Sequence, residues 1–161
     1  MRELLKDARG LVLDVGCGDA RIGAALLPSC CTYVGIDPFI NAPADGQFIG
    51  AAEDLPFSDA NFDTVMFNTS LDHILDYSTA IREAGRVLQP GGALFISTLV
   101  WHNNFSLLLD DIHFHHFKQF EIDGVMNFTG FEIVTSNRAP WKTDVHREVL
   151  YAKYQARRRD G

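Results

Sequence analysis

Leu11-Val12-Leu13-Asp14-Val15-Gly16-Cys17-Gly18, taken with Tyr33-Val34-Gly35-Ile36-Asp37 further along, decides how this chain is read. The first stretch is an apolar run that stops at two glycines. It predicts a buried strand, Leu11 to Val15, feeding a tight turn where a ligand can lie against bare backbone. The second is an apolar run, Thr32 to Ile36, that stops at a carboxylate. It sets an acid at the carboxyl end of the neighbouring strand, where open α/β sheets bind their ligands. A carboxylate there can accept hydrogen bonds from both hydroxyls of a ribose. Glycine turn and acid together point to a nucleoside.

The spacing of the glycines narrows the choice. A dinucleotide fingerprint, Gly-x-Gly-x-x-Gly, opens its helix with a third glycine. Gly16 and Gly18 fit, but Arg21 holds the third position and Gly23 follows two residues later. Asp14 and Asp19 flank the turn, which suits a cationic ligand better than a pyrophosphate. A nicotinamide-dependent dehydrogenase is thereby disfavoured. An ammonium or a sulfonium is favoured, and S-adenosylmethionine carries both.

Outward from this centre, strand and helix signals alternate. Ala20 to Leu27 reads as a helix stopped by Pro28. Phe48 and Ile49 form a short third strand after a loop with Asn41, Pro43, Asp45 and Gly46. Thr64 to Asn68 is a fourth strand and Ala93 to Thr98 a fifth. Between them, Ala80, Ile81, Ala84, Val87 and Leu88 recur at helical spacing, predicting a helix over Ser78 to Leu88 with Ser78 as its cap. Phe120 to Phe128 reads as a helix ended by Gly130. Phe131 to Ser136 and Glu148 to Tyr154 complete the strands. The alternation indicates a layered α/β sheet.

Composition sets the outer bounds. A chain of 161 residues with 47% hydrophobic content fits one globular domain, spanning 1–161. The net charge of -7 argues against a nucleic-acid partner, which would favour a basic surface. No apolar run reaches the roughly eighteen residues of a membrane span, and Met1 to Asp7 lacks the apolar core of a signal peptide. Cys17, Cys30 and Cys31, an odd number with one adjacent pair, do not resemble a disulfide framework. A cytoplasmic protein with reduced thiols is expected. Cys17 reads as a small residue that fits the turn, not as a nucleophile.

The ordered motifs resemble those of class I S-adenosylmethionine-dependent methyltransferases. Val12-Leu13-Asp14-Val15-Gly16-Cys17-Gly18-Asp19-Ala20 is similar to the first motif of that family. Val34-Gly35-Ile36-Asp37-Pro38 resembles its ribose-binding motif, and Ala51-Ala52-Glu53-Asp54-Leu55-Pro56-Phe57 its adenine-side segment. Asn61-Phe62-Asp63-Thr64-Val65 resembles the entry to the fourth strand. Arg86-Val87-Leu88-Gln89-Pro90-Gly91-Gly92 resembles the turn before the fifth. The likeness runs from about Leu11 to Ser97. It implies a Rossmann-like, seven-stranded, mostly parallel sheet with helices on both faces and the last strand antiparallel.

The resemblance also implies a set of site residues. Asp14 would help hold the methionyl amino group, directly or through water. Gly16, Cys17 and Gly18 would line the cofactor, Asp37 would hold the ribose, and Pro38 would follow it, with Phe39 placed to pack on adenine. Many relatives carry an Asp where Ala51 stands. Here Ala52, Glu53 and Asp54 are left to read the base edge. Asn68, at the end of the fourth strand, would border the methionyl part.

Leu71, Asp72 and His73 follow, beside the transferable methyl, and His73 is the candidate base. His102, His113, His115 and His116, with Asp110 and Asp111, raise a metal hypothesis. Their spacing lacks the pattern of a structural zinc site, and no metal is expected. Residues 100–128 read instead as an insert over the acceptor.

The expected reaction is methyl transfer to a small molecule, such as a sugar or metabolite. The alternative is a cofactor-binding, non-catalytic partner or regulatory subunit. No Asn-Pro-Pro-Tyr-type signature follows the fourth strand, which disfavours amino groups of bases or of glutamine side chains. About ten residues precede the first strand, fewer than relatives carry. A minimal member, a fragment, or a homodimer or partner protein covering that side would each account for this.

Overall fold

Seven strands lie in one sheet: Leu11–Val15 (β1), Thr32–Ile36 (β2), Gln47–Phe48 (β3), Phe62–Asn68 (β4), Leu88–Trp101 (β5), Phe131–Pro140 (β6) and Val149–Arg158 (β7). Their order is β3-β2-β1-β4-β5-β7-β6. The first five pair in parallel, and β7 is inserted antiparallel between β5 and β6. Three α-helices accompany them: Ala20–Leu26 (α1), Tyr77–Val87 (α2) and Gln119–Phe128 (α3). This computed structural model describes residues 2–18, 20–101, 113–140 and 149–159.

The central strands are apolar at nearly every position because both of their faces are covered. Leu13, Val15, Val65, Phe67, Leu94 and Ile96 face one side. There they meet Ala80, Ile81, Ala84 and Val87 of α2, and Ile122 and Met126 of α3. Val12, Met66 and Phe95 face the other side, under Leu5 of a 3-10 turn at Leu4–Asp7 and under Leu26 and Leu27. Helical segments therefore cover both faces, as the resemblance implied. The second face is less fully covered toward β6 and β7. A groove of about 390 Å³ separates Thr135, Asn137, Lys153 and Gln155 from Glu3, Lys6 and Asp7.

Several boundaries differ from the sequence reading. The cap of α2 is Asp76, not Ser78: its carboxylate accepts the Thr79 N–H at 3.0 Å. The helix starts earlier because Tyr77 packs against the core. β3 spans Gln47–Phe48, one residue before the expected pair. β5 extends well beyond Ala93 to Thr98 because β7 pairs with it from Ala93 to Trp101. α3 starts one residue before the expected Phe120, at Gln119, and ends at Phe128 as expected, with Gly130 at φ 88 just past it.

Candidate active site

The parallel strands end at one edge, and the glycine turn lies there. Gly16 and Cys17 donate their N–H groups to the Ile36 carbonyl at 2.8 and 3.1 Å, closing β1 onto β2. Gly16 sits at φ 72 and Gly18 at φ 47, the left-handed region where a side chain is strained. The two glycines serve different ends. A Cβ on Gly16 would come within 2.5 Å of the Ser70 Cβ. One on Gly18 would meet nothing of the described residues within 4 Å, so among them Gly18 opens on free space.

Asp37 stands opposite that opening. One carboxylate oxygen accepts the Gly18 N–H at 3.0 Å and the other the Phe39 N–H at 2.8 Å. Each oxygen keeps a further lone pair for a ligand donor. Asp37 is half-buried and Pro38 exposed; Phe39 is 88% exposed beside them, an aromatic face bared next to the acid. Cys17 is buried beneath the turn, and burial pushes its thiol up to about 11. That suits a packing role.

Asp14 lies behind the turn. It is 1% exposed. Tyr33 donates its hydroxyl to Oδ2 at 2.9 Å, and a Cβ on Gly23 would reach that same oxygen. Gly23 thus lets α1 pass close over a buried carboxylate. Burial pushes Asp14 up to about 7, the Tyr33 hydrogen bond opposes this, and the charge of Asp37 adds to it. Its Oδ1 is buried with no hydrogen-bond partner among the described residues.

The loop from Ala51 to Phe57 is held by two residues the sequence reading did not single out. Arg86 donates to the Leu55 and Phe57 carbonyls, each at 2.8 Å, while pairing with Glu83 and Asp59. Glu83 also accepts the Leu55 N–H at 3.0 Å. The clamp pins Ala52, which is buried, together with half-buried Glu53 and exposed Asp54. Glu53 is anchored in turn by the Asp76 N–H at 3.2 Å. Glu83 and Arg86 stand three apart on α2. That spacing shows a helix pair, but nothing local shows the loop they hold.

Asn68 ends β4 half-buried, and its Oδ1 accepts from the Ser97 hydroxyl at 3.2 Å. Beyond it a 3-10 turn spans Leu71–His73. Asp72 is 2% exposed and His73 is exposed. The segment after β5 docks on this turn: the Phe114 and His115 N–H groups donate to the Asp72 carbonyl at 3.0 and 3.1 Å. His113 Nε2 lies 3.7 Å from Asp72 Oδ2, and the rings of His73 and His113 are 4.7 Å apart.

His115 turns away. Its Nε2–H donates to the Ile74 and Leu75 carbonyls, and its ring stacks on Phe117. His116 packs edge-on against Trp101. The structure thus splits the histidines that the sequence grouped, and joins His113 to Asp72 and His73. His102, Asp110 and Asp111 lie outside the described residues, as does Asp19.

The doubly covered parallel sheet, with its glycine turn and acid at the carboxyl edge, defines a Rossmann-like nucleoside-binding fold. The methyltransferase domain family matches residues 13–96, and the chain belongs to it. It is a class I methyltransferase whose cofactor is S-adenosylmethionine. The chain is similar to a ubiquinone biosynthesis O-methyltransferase of Azorhizobium caulinodans, at 25% identity over 91% of this chain and 72% of that one. It is 37% identical to an uncharacterized methyltransferase of Mycobacterium tuberculosis over 55% of this chain and 50% of the relative, so the match spans about half of that relative's length. Among solved structures, the [4+2]-cyclase SpnF superposes with a TM-score of 0.83 at 18% identity, over 99% of this chain and 79% of that one. At that identity the likeness concerns the fold alone.

The residues present fit the cofactor. Gly18 opens the turn, Asp37 presents free acceptor capacity beside it, and Asp14 leaves an oxygen behind the turn with no partner among the described residues.

Proposed function

We propose that this chain methylates a small-molecule acceptor, and that the cofactor is held along the turn from β1 to β2. The arrangement of Asp37 across the open side of Gly18 carries this reading. When bound, S-adenosylmethionine supplies a methyl group on a cationic sulfur, which a nucleophile accepts to leave S-adenosylhomocysteine.

The chain's own residues bind, orient and shield. Asp37 accepts from the ribose hydroxyls through lone pairs left over from its backbone bonds. Gly16, Cys17 and Gly18 let backbone approach the ligand, and Pro38 flanks it. Ala52, Glu53 and Asp54 border the adenine edge, in a loop whose position Arg86 fixes. Asn68 borders the methionyl part. Asp14 acts from behind, with Oδ1 open to a water-relayed hydrogen bond. His73, exposed at the end of β4, is placed to take the acceptor's proton.

A small acceptor is supported by the relative named for O-methylation in ubiquinone biosynthesis. Residues 100–128, of which 102–112 lie outside the described residues, would cover it: among them, His113 to Phe117 dock beside His73. We assign 1–161 to a single domain in the cytoplasm, supported by three free cysteines. No helix among the described residues is long and apolar enough to cross a membrane. A second copy or a partner protein would fit over the polar groove beside the amino-terminal turn.

Asp37→Ala tests the assignment. Calorimetric titration with S-adenosylhomocysteine should show affinity at least tenfold weaker, about 1.4 kcal/mol. Unchanged affinity would remove Asp37 from the site.

A further inference from the structure

Asp72, His73 and His113 come from two separate segments, and their ligand-capable atoms all lie within 4.8 Å of one another. Asp72 anchors the group. It is 2% exposed, its Oδ1 has no hydrogen-bond partner among the described residues, and its Oδ2 faces His113 Nε2 at 3.7 Å. A buried carboxylate with an unsatisfied oxygen is costly unless a cation answers it. The main-chain carbonyl of Asp72 holds the partner segment in place through the Phe114 and His115 N–H groups. Trp101 stands edge-on to His113 at 6.2 Å and walls the cluster on one side.

We propose that Asp72, His73 and His113 bind a divalent transition-metal ion, and that the donors suit zinc. Two imidazoles and one carboxylate are a common zinc set, and three protein ligands leave a coordination position open. Zinc sits about 2.0–2.1 Å from nitrogen ligands, so the side chains close on the ion by torsional adjustment. The backbone that carries them is already fixed by the two carbonyl bonds, the kind of support metal ligands need.

The site lies on the turn that follows β4. Its role there rests on the methyl-transfer reading: the open position would hold an oxygen of the acceptor and ease loss of its proton to solvent water. With the ion bound, His73 is a ligand, and the base role given to it above belongs to the metal-free protein. The sequence had set His113 beside Asp110 and Asp111. The fold sets it beside Asp72.

The test is zinc titration of untagged, chelator-stripped protein by calorimetry, with S-adenosylhomocysteine titrated into the same samples. One equivalent of zinc should bind. Asp72→Asn and His113→Ala should each weaken it at least tenfold while product affinity stays within twofold of the parent. His73→Ala changes an exposed side chain and should give the same loss, so the outcome does not depend on the buried variant folding. Absence of stoichiometric zinc binding, or binding that survives all three substitutions, overturns the site. Zinc binding without affinity for S-adenosylhomocysteine would instead sink the methyl-transfer reading and leave the metal site standing.

Discussion

Asp37 is half-buried and carries two backbone N–H bonds, while Asp14, one strand away, is 1% exposed and receives the Tyr33 hydroxyl. Burial holds Asp14 near 7, against an ordinary value of 3.8. The native protein therefore keeps a proton that the unfolded chain releases between about pH 4 and 7. Stability falls as pH rises through that window, because the unfolded state binds fewer protons. Asp14→Asn removes the linkage. In urea titrations the variant should be more stable than the parent at pH 8, by on the order of 2–4 kcal/mol. The advantage should shrink toward nothing by about pH 4. A constant difference across pH would show that Asp14 is ionised in the fold.

The Arg86 clamp belongs to the scale of elements, because it ties α2 to the loop before β4. Its guanidinium reaches two carbonyls and two carboxylates, and the planar fork makes such a pattern possible. The side chain is about a third exposed, so screening reduces the ion-pair part. Arg86→Ala should lower unfolding stability by about 1–3 kcal/mol in denaturant titration and weaken S-adenosylhomocysteine binding through a loosened adenine-side loop. Arg86→Lys should recover little, since an ammonium cannot span those acceptors. A lysine variant equal to the parent would reduce the clamp to a simple charge. Capping is similar in kind: Asp76 won over Ser78 because packing of Tyr77 set where α2 begins.

For the whole molecule, ligand binding and folding are linked by mass action. S-adenosylhomocysteine at a hundred times its dissociation constant should stabilise the fold by about 2.7 kcal/mol. That corresponds to a rise in midpoint of roughly 5–10 °C for a domain of this size, read by differential scanning fluorimetry. NAD at the same concentration should give no shift. The reverse result would reinstate the dinucleotide reading that Arg21 argues against.

What lies in one short stretch was legible from residues alone. The bounds of β1 and β2 agree with the runs read from the sequence: β1 is buried along most of its length, and β2 is buried at Gly35 and Ile36, next to the acid that ends it. The glycine turn and Asp37 were legible because the turn needs positive φ and the acid ends a strand. Other features required the folded chain. The reach of Arg86 to Leu55 and the meeting of His113 with Asp72 join segments distant in sequence, and the burial of Asp14 under Gly23 depends on how α1 lies across the end of β1. No local pattern encodes such a contact. His113 acquires Asp72 as a partner only when β5 and the segment after it pack against the turn that follows β4.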